Sequence, residues 1–134
     1  MTISVGQSAS RSMTVTGEIV KRYADLTGDF NPLHFDEDFT AKTRFGRLMA
    51  QGGIAVGLLH ALVAMDLPGA GTVFTEQHWV FPAPVYIDDT ITATGTITNW
   101  RADRSRGEMD FVIVNQDGVE VLTGSTGVYQ AIPK

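Results

Sequence analysis

Residues 29–34 read Asp29-Phe30-Asn31-Pro32-Leu33-His34 and set a carboxylate, a carboxamide and an imidazole within six positions. Carboxylate beside imidazole is the commonest arrangement for moving protons near neutral pH, where the histidine pKa lies. Pro32 keeps Asn31 out of the helical region and narrows the loop's ensemble, which lowers the entropy cost of holding Asp29 and His34 in one geometry. Asn31 can orient a water or a substrate, or close an Asx turn. The same residue types also build plain surface turns, so the loop alone leaves an acid–base pair and an ordinary turn both open.

A second group is Gln51-Gly52-Gly53, at the start of a long apolar run. A helix beginning there leaves N–H groups unpaired and carries partial positive charge at its head. With two glycines a ligand can come close, so this helix end could hold a carbonyl oxygen as it gains negative charge. Close helix–sheet packing is the alternative reason for glycines at 52 and 53.

These groups need elements to hold them. Thr16 precedes a capped helix over residues 17–26, with Ile19, Val20, Tyr23 and Leu26 at helical spacing on one face and Gly28 as the stop. A short irregular helix follows over residues 35–43, with Asp36 or Asp38 near its start. Residues 52–65 are apolar around the whole helical circumference, so this helix is expected to be buried on nearly every face, until Pro68-Gly69-Ala70-Gly71 ends the segment. The second half is rich in Thr, Val and Ile and predicts strands over residues 72–81, 90–100, 107–115 and 119–130. Thr90, Thr92, Thr94, Thr96 and Thr98 alternate with Ile91, Ala93, Gly95 and Ile97, and Asp117-Gly118 marks a hairpin. Strands following one buried helix imply an antiparallel sheet wrapped around it, an α+β architecture in a single domain over residues 1–134.

The 134 residues suffice for one domain, and 43% hydrophobic with 19% charged residues describes a globular chain. A net charge of −5 argues against a general nucleic-acid binder. No cysteine is present, so disulfides and thiolate metal sites are excluded. Residues 1–12 lack the apolar core of a signal peptide, and the apolar stretch over residues 54–67 is interrupted by Gly57, His60 and Asp66. The expectation is a soluble, cytoplasmic protein without a membrane partner. His60 is expected as a hydrogen-bonded core histidine, and His78 as structural. Of the basic groups, Arg101, Arg104 and Arg106 are expected to be solvated, while Lys42, Arg44 and Arg47 stand closer to the helix head.

The run Asp29-Phe30-Asn31-Pro32-Leu33-His34-Phe35-Asp36, with Gln51-Gly52 seventeen residues beyond His34, resembles the MaoC-like, (R)-specific enoyl-CoA hydratases of the hot dog fold. Asp-x-Asn-Pro-x-His-x-Asp is that family's hydratase signature, and the similarity runs on through Phe45, the buried helix, Pro68-Gly69, Gln77 and the stretch from Pro84 to Asp88. The resemblance implies a hot dog fold and a hydro-lyase adding water to trans-2-enoyl-CoA. Its catalytic groups would be Asp29, His34 and Asn31 with the Gly52 amide, and its substrate contacts Gln51, Gly53, Arg44 and Arg47. It implies no metal and no cofactor, coenzyme A being part of the substrate, and a homodimer acting in fatty-acid or polyhydroxyalkanoate metabolism. This chain departs from the family at Gln51, where His-Gly is frequent, and Gly53 and His60 also stand where related sequences often carry larger or hydroxylic residues. A hot dog acyl-CoA thioesterase and a non-catalytic hot dog subunit are the other readings; thiol release or absence of turnover would mark them.

Overall fold

The computed structural model describes residues 2–133. Its elements run β1 (Ser8–Thr14), α1 (Gly17–Thr27), a 3-10 turn (Pro32–His34), α2 (Glu37–Ala41), α3 (Gly52–Met65), β2 (Thr72–Val80), β3 (Thr90–Arg101), β4 (Arg106–Val114) and β5 (Glu120–Gln130). The strands form one antiparallel sheet in the order β1-β3-β4-β5-β2. The expected α+β hot dog arrangement is what the chain adopts, with the sheet curved around α3.

Local chemistry explains most boundaries. The Thr16 hydroxyl accepts the Ile19 N–H at 3.3 Å, and Gly28 ends α1 at φ 84°, a conformation glycine takes without steric cost. Asp36 caps α2, its Oδ1 accepting the Phe39 N–H at 3.0 Å. Asn115 Oδ1 accepts the N–H groups of Asp117 and Val119 in the β4–β5 hairpin, where Gly118 has φ 76°. In β3 the residues Ile91, Ala93, Gly95 and Ile97 turn inward while the intervening threonines face out. The core is Ile54, Ala55, Leu58, Leu59, Leu62 and Val63 of α3 packed on inward residues of β3, β4 and β5.

The structure also corrects the sequence reading. β1 was not expected. Its outward Ser10, Ser12 and Thr14 hydroxyls bond those of Thr94, Thr92 and Thr90 at 2.9, 2.8 and 2.8 Å, a ladder that recruits a polar segment to the sheet edge. Leu26, assigned to the inward face of α1, is 83% exposed, and Val20 and Ala24 are the buried residues of that helix. Nor is α3 covered on every side in the single chain, where Gly52, Gly57, His60 and Met65 are exposed. His60 is therefore not a core histidine; its ring meets Phe74 edge-on and its Nε2 lies 3.4 Å from Gln77 Nε2.

Candidate active site

The loop between α1 and α2 is built by its own side chains. Asp29 Oδ1 accepts the Asn31 N–H at 3.3 Å, and Asn31 Oδ1 accepts the Leu33 N–H at 3.1 Å. Asn31 thus caps the 3-10 turn that carries His34 inward, the Asx-turn role foreseen for it. His34 is 6% exposed, whereas the Asp29 side chain is 44% exposed. Their facing atoms, His34 Nε2 and Asp29 Oδ1, are 3.8 Å apart.

The other ring nitrogen decides the chemistry of this pair. His34 Nδ1 lies 2.6 Å from the main-chain oxygen of Met49. A carbonyl oxygen only accepts, so Nδ1 carries the hydrogen, and in the neutral ring Nε2 presents a lone pair toward Asp29. Two acceptors 3.8 Å apart cannot bond each other directly, but one water can donate to both.

Residues 49–51, leading into α3, hold the rest of the site. The Met49 N–H donates to Leu33 O at 3.1 Å, and the Ala50 N–H to Val85 O at 2.7 Å. Gln51 is 2% exposed, and its Nε2 donates to Val20 O at 3.0 Å and to Asp29 O at 3.5 Å. It gives α3 no side-chain cap; in the first turn the Ile54 N–H donates to Gln51 O at 3.1 Å, while the amides of exposed Gly52 and of Gly53 have no partner among the described residues. Gly53 is glycine for a separate reason: a Cβ there would fall 1.7 Å from the Tyr23 hydroxyl, which rests against this first turn. Spacing placed Tyr23 on the inward face of α1 but gave no sign of its contact with Gly53, and nothing signalled the Met49 carbonyl, because both act through contacts between distant segments.

Two hollows flank the head of α3. A cavity of about 300 Å³ is walled by Gly52 and Ala55, by Met49 and Gln51, and by Arg44 and Phe81, a size at the lower end for small-molecule sites. A second, mostly apolar groove of about 670 Å³ runs along the other flank past Tyr23, Gly53, Gly57, Leu58 and Ala61. Asp29 and His34 line neither; residues 49–51, which contact the pair, wall the first hollow but not the groove. Arg44 lies over the Phe45 ring at 5.0 Å and Arg47 over the Tyr86 ring at 3.9 Å, and among the described residues neither forms an ion pair. Among the same residues no group of three or more His, Cys, Asp or Glu side chains is placed to hold a metal ion.

Residues 2–118 match the model of the MaoC like domain. An (R)-specific enoyl-CoA hydratase of Aeromonas caviae is 34% identical over 126 residues, 94% of each chain. One from Rhodospirillum rubrum is 40% identical over 96 residues, covering 72% of this chain and 67% of that protein. Among solved structures, the (R)-hydratase from A. caviae involved in PHA biosynthesis superposes with a TM-score of 0.90 at 33% identity, covering 96% of this chain and 98% of that one.

Proposed function

The chain belongs to the MaoC like domain family, and from that membership we propose that it is an (R)-specific enoyl-CoA hydratase, a hydro-lyase acting reversibly on trans-2-enoyl-CoA. The observation that carries the reading furthest is the Asp29–His34 pair, set 3.8 Å apart with its tautomer fixed by Met49 O. One water donates to Asp29 Oδ1 and His34 Nε2, which leaves an oxygen lone pair free for the β-carbon of the substrate. As the C–O bond forms, the pair takes one water proton and the π electrons move onto the thioester oxygen. The Gly52 N–H and the positive end of α3 stabilise that oxygen. The pair then returns a proton to the α-carbon on the same face, giving (R)-3-hydroxyacyl-CoA. Asn31 keeps the loop in shape.

The two hollows support a placement of the substrate. The thioester sits at the head of α3, the acyl chain enters the apolar groove beside Gly53, and the coenzyme A phosphates reach Arg44, in the wall of the other cavity, and Arg47 close to it in sequence. Coenzyme A enters and leaves as part of the substrate, and the reaction draws on no cofactor or metal. The free outer edge of β2, with Val73 56% and Val80 61% exposed, supports a homodimer. No helix among the described residues is long and apolar enough to cross a membrane. We place the enzyme in the cytoplasm, in fatty-acid metabolism with polyhydroxyalkanoate supply as one outlet.

The test is incubation of the purified chain with crotonyl-CoA, following enoyl absorbance and free thiol together, with chiral analysis of the product. Reversible loss of absorbance without thiol, giving the (R) product, is expected. Thiol release in step with substrate loss, or an (S) product, would refute the assignment.

A further inference from the structure

Gln51 is unusual among the groups around the site. Its side chain is buried, its Nε2 faces two carbonyl oxygens, and its Oε1 has no partner among the described residues. Exchanging the two amide atoms would turn Oε1 against the oxygens of Val20 and Asp29, so the orientation is fixed by its neighbours. Buried polar atoms are almost always satisfied, and an orphaned acceptor is a standing cost to the fold. An apolar residue of the same length would avoid that cost. What Gln51 supplies in return is two N–H hydrogens, one for the middle of α1 at Val20 O and one for the catalytic loop at Asp29 O.

The neighbouring contacts show what the second of these does. His34 is anchored by Met49 O, two residues before Gln51, and Gly52 is the next residue on. Among the described residues the Asp29 carboxylate accepts a hydrogen bond only from the Asn31 N–H, at 3.3 Å, and is nearly half exposed, so its place depends on where its main chain is pinned, by Thr27 Oγ1 at the N–H and Gln51 at the carbonyl. We propose that Gln51 is the positioning residue of the acid–base pair: its buried carboxamide ties the Asp29 main chain to the segment that already holds His34 and leads to Gly52. Residues 49–51 then fix the acid, the base and the oxyanion donor in one frame, with Gln51 acting through Asp29 and not on the substrate. The inference rests on the hydratase reading for the name of the reaction, but not for the coupling between Asp29 and His34.

Gln51→Met keeps length and bulk while removing both donors and the orphaned acceptor together. The expected result with crotonyl-CoA is a fall in kcat of about 10- to 100-fold, the scale of losing supporting contacts around a reacting group. KM stays within about 3-fold, because the Gln51 carboxamide nitrogen faces the Val20 and Asp29 carbonyls and Gln51→Met keeps the bulk that walls the cavity. Melting temperature is unchanged or higher, and the acidic limb of the pH–rate profile shifts as Asp29 moves relative to His34. Gln51→His, which retains a ring N–H donor, recovers about 10-fold or more of the loss. Should Gln51→Met fail to fold, Gln51→Leu serves, since its side chain cannot donate to either carbonyl and the same kcat loss is expected. An unchanged kcat overturns the proposal, as does a kcat loss matched by a lower melting temperature with the pH profile intact. The coupling is also read without turnover, from the nitrogen NMR chemical shift of His34 Nε2: Asp29→Asn changes it in the parent, and that change shrinks in the Gln51→Met background. A shift of equal size in both backgrounds overturns the proposal even if the reaction proves not to be hydration.

Discussion

The contact between Tyr23 and Gly53 offers a sharp test of how the site is packed. Replacing Gly53 with Ala puts a methyl carbon 1.7 Å from the Tyr23 hydroxyl, 2.5 Å from Cζ and 3.1 Å from Cε2. The hydroxyl must retreat by about 1.5 Å or more to reach ordinary van der Waals separation. Tyr23 packs against the core, and displacement of this kind typically costs ~1–3 kcal/mol. The helix gains at most ~1 kcal/mol from Gly→Ala, so a net loss of ~1–2 kcal/mol is expected. For a chain of this size that lowers the melting temperature by about 3–8 °C. In a Tyr23→Phe background the 1.7 Å contact disappears and Cζ becomes the nearest atom at 2.5 Å. The loss from Gly53→Ala should therefore shrink by ~0.5–1 kcal/mol, a coupling energy of the size contacting residues show. Urea unfolding of the four proteins in the cycle measures it. A stabilising Gly53→Ala, or the same loss in both backgrounds, would refute the view that Gly53 is glycine to admit the Tyr23 hydroxyl.

Asp29→Asn and His34→Gln are each expected to lower crotonyl-CoA hydration by ~10²–10⁴-fold, Asp29→Asn leaving the unfolding midpoint close to that of the parent and His34→Gln lowering it through loss of the buried bond to Met49 O; near-parental turnover by either would remove the pair from the mechanism. Arg44→Ala and Arg47→Ala should raise KM for acyl-CoA and flatten its dependence on ionic strength without changing kcat, read from initial rates between low and moderate salt. Asp89 is 4% exposed and accepts the Tyr86 N–H and the Gln116 carboxamide, both at 2.9 Å. Asp89→Ala should therefore cost ~1–3 kcal/mol in urea unfolding by leaving those donors unpaired.

Elements whose signals lie within one turn or one strand were readable from the chain. The Thr16 cap, the Gly28 stop, the α3 boundaries and the period-two pattern of β3 all rest on neighbours a few residues apart. β1 escaped because Ser8, Ser10, Ser12 and Thr14 carry no hydrophobic alternation; the strand exists through hydroxyl partners more than seventy residues away. Leu26 fell on the expected face by spacing, but it borders the open groove between α1 and α3 and stays exposed. The Asp29-to-His34 loop was legible as a set of types, yet the groups deciding its geometry were not. Met49 contributes only its backbone, and Gln51, expected at the substrate, turns its carboxamide nitrogen to Val20 and Asp29. Such roles depend on tertiary approach, for which residue type gives no sign.

The two borders of the sheet are dressed differently, and that bears on how far copies of this chain can associate. β1 is short and points a charge inward, Arg11, held by Asp66 just beyond α3 at 3.1 Å, while hydroxyls cover its other face. Inward charges and short length are the means by which β-proteins discourage addition of a further strand. β2 is longer and exposes Val73 and Val80. A sheet equally adhesive at both borders would grow into a fibre, each copy offering a new landing place to the next. With one hospitable border among the described strands, the proposed pairing of two copies through a two-fold axis would hide it from any third, and growth would terminate at the pair.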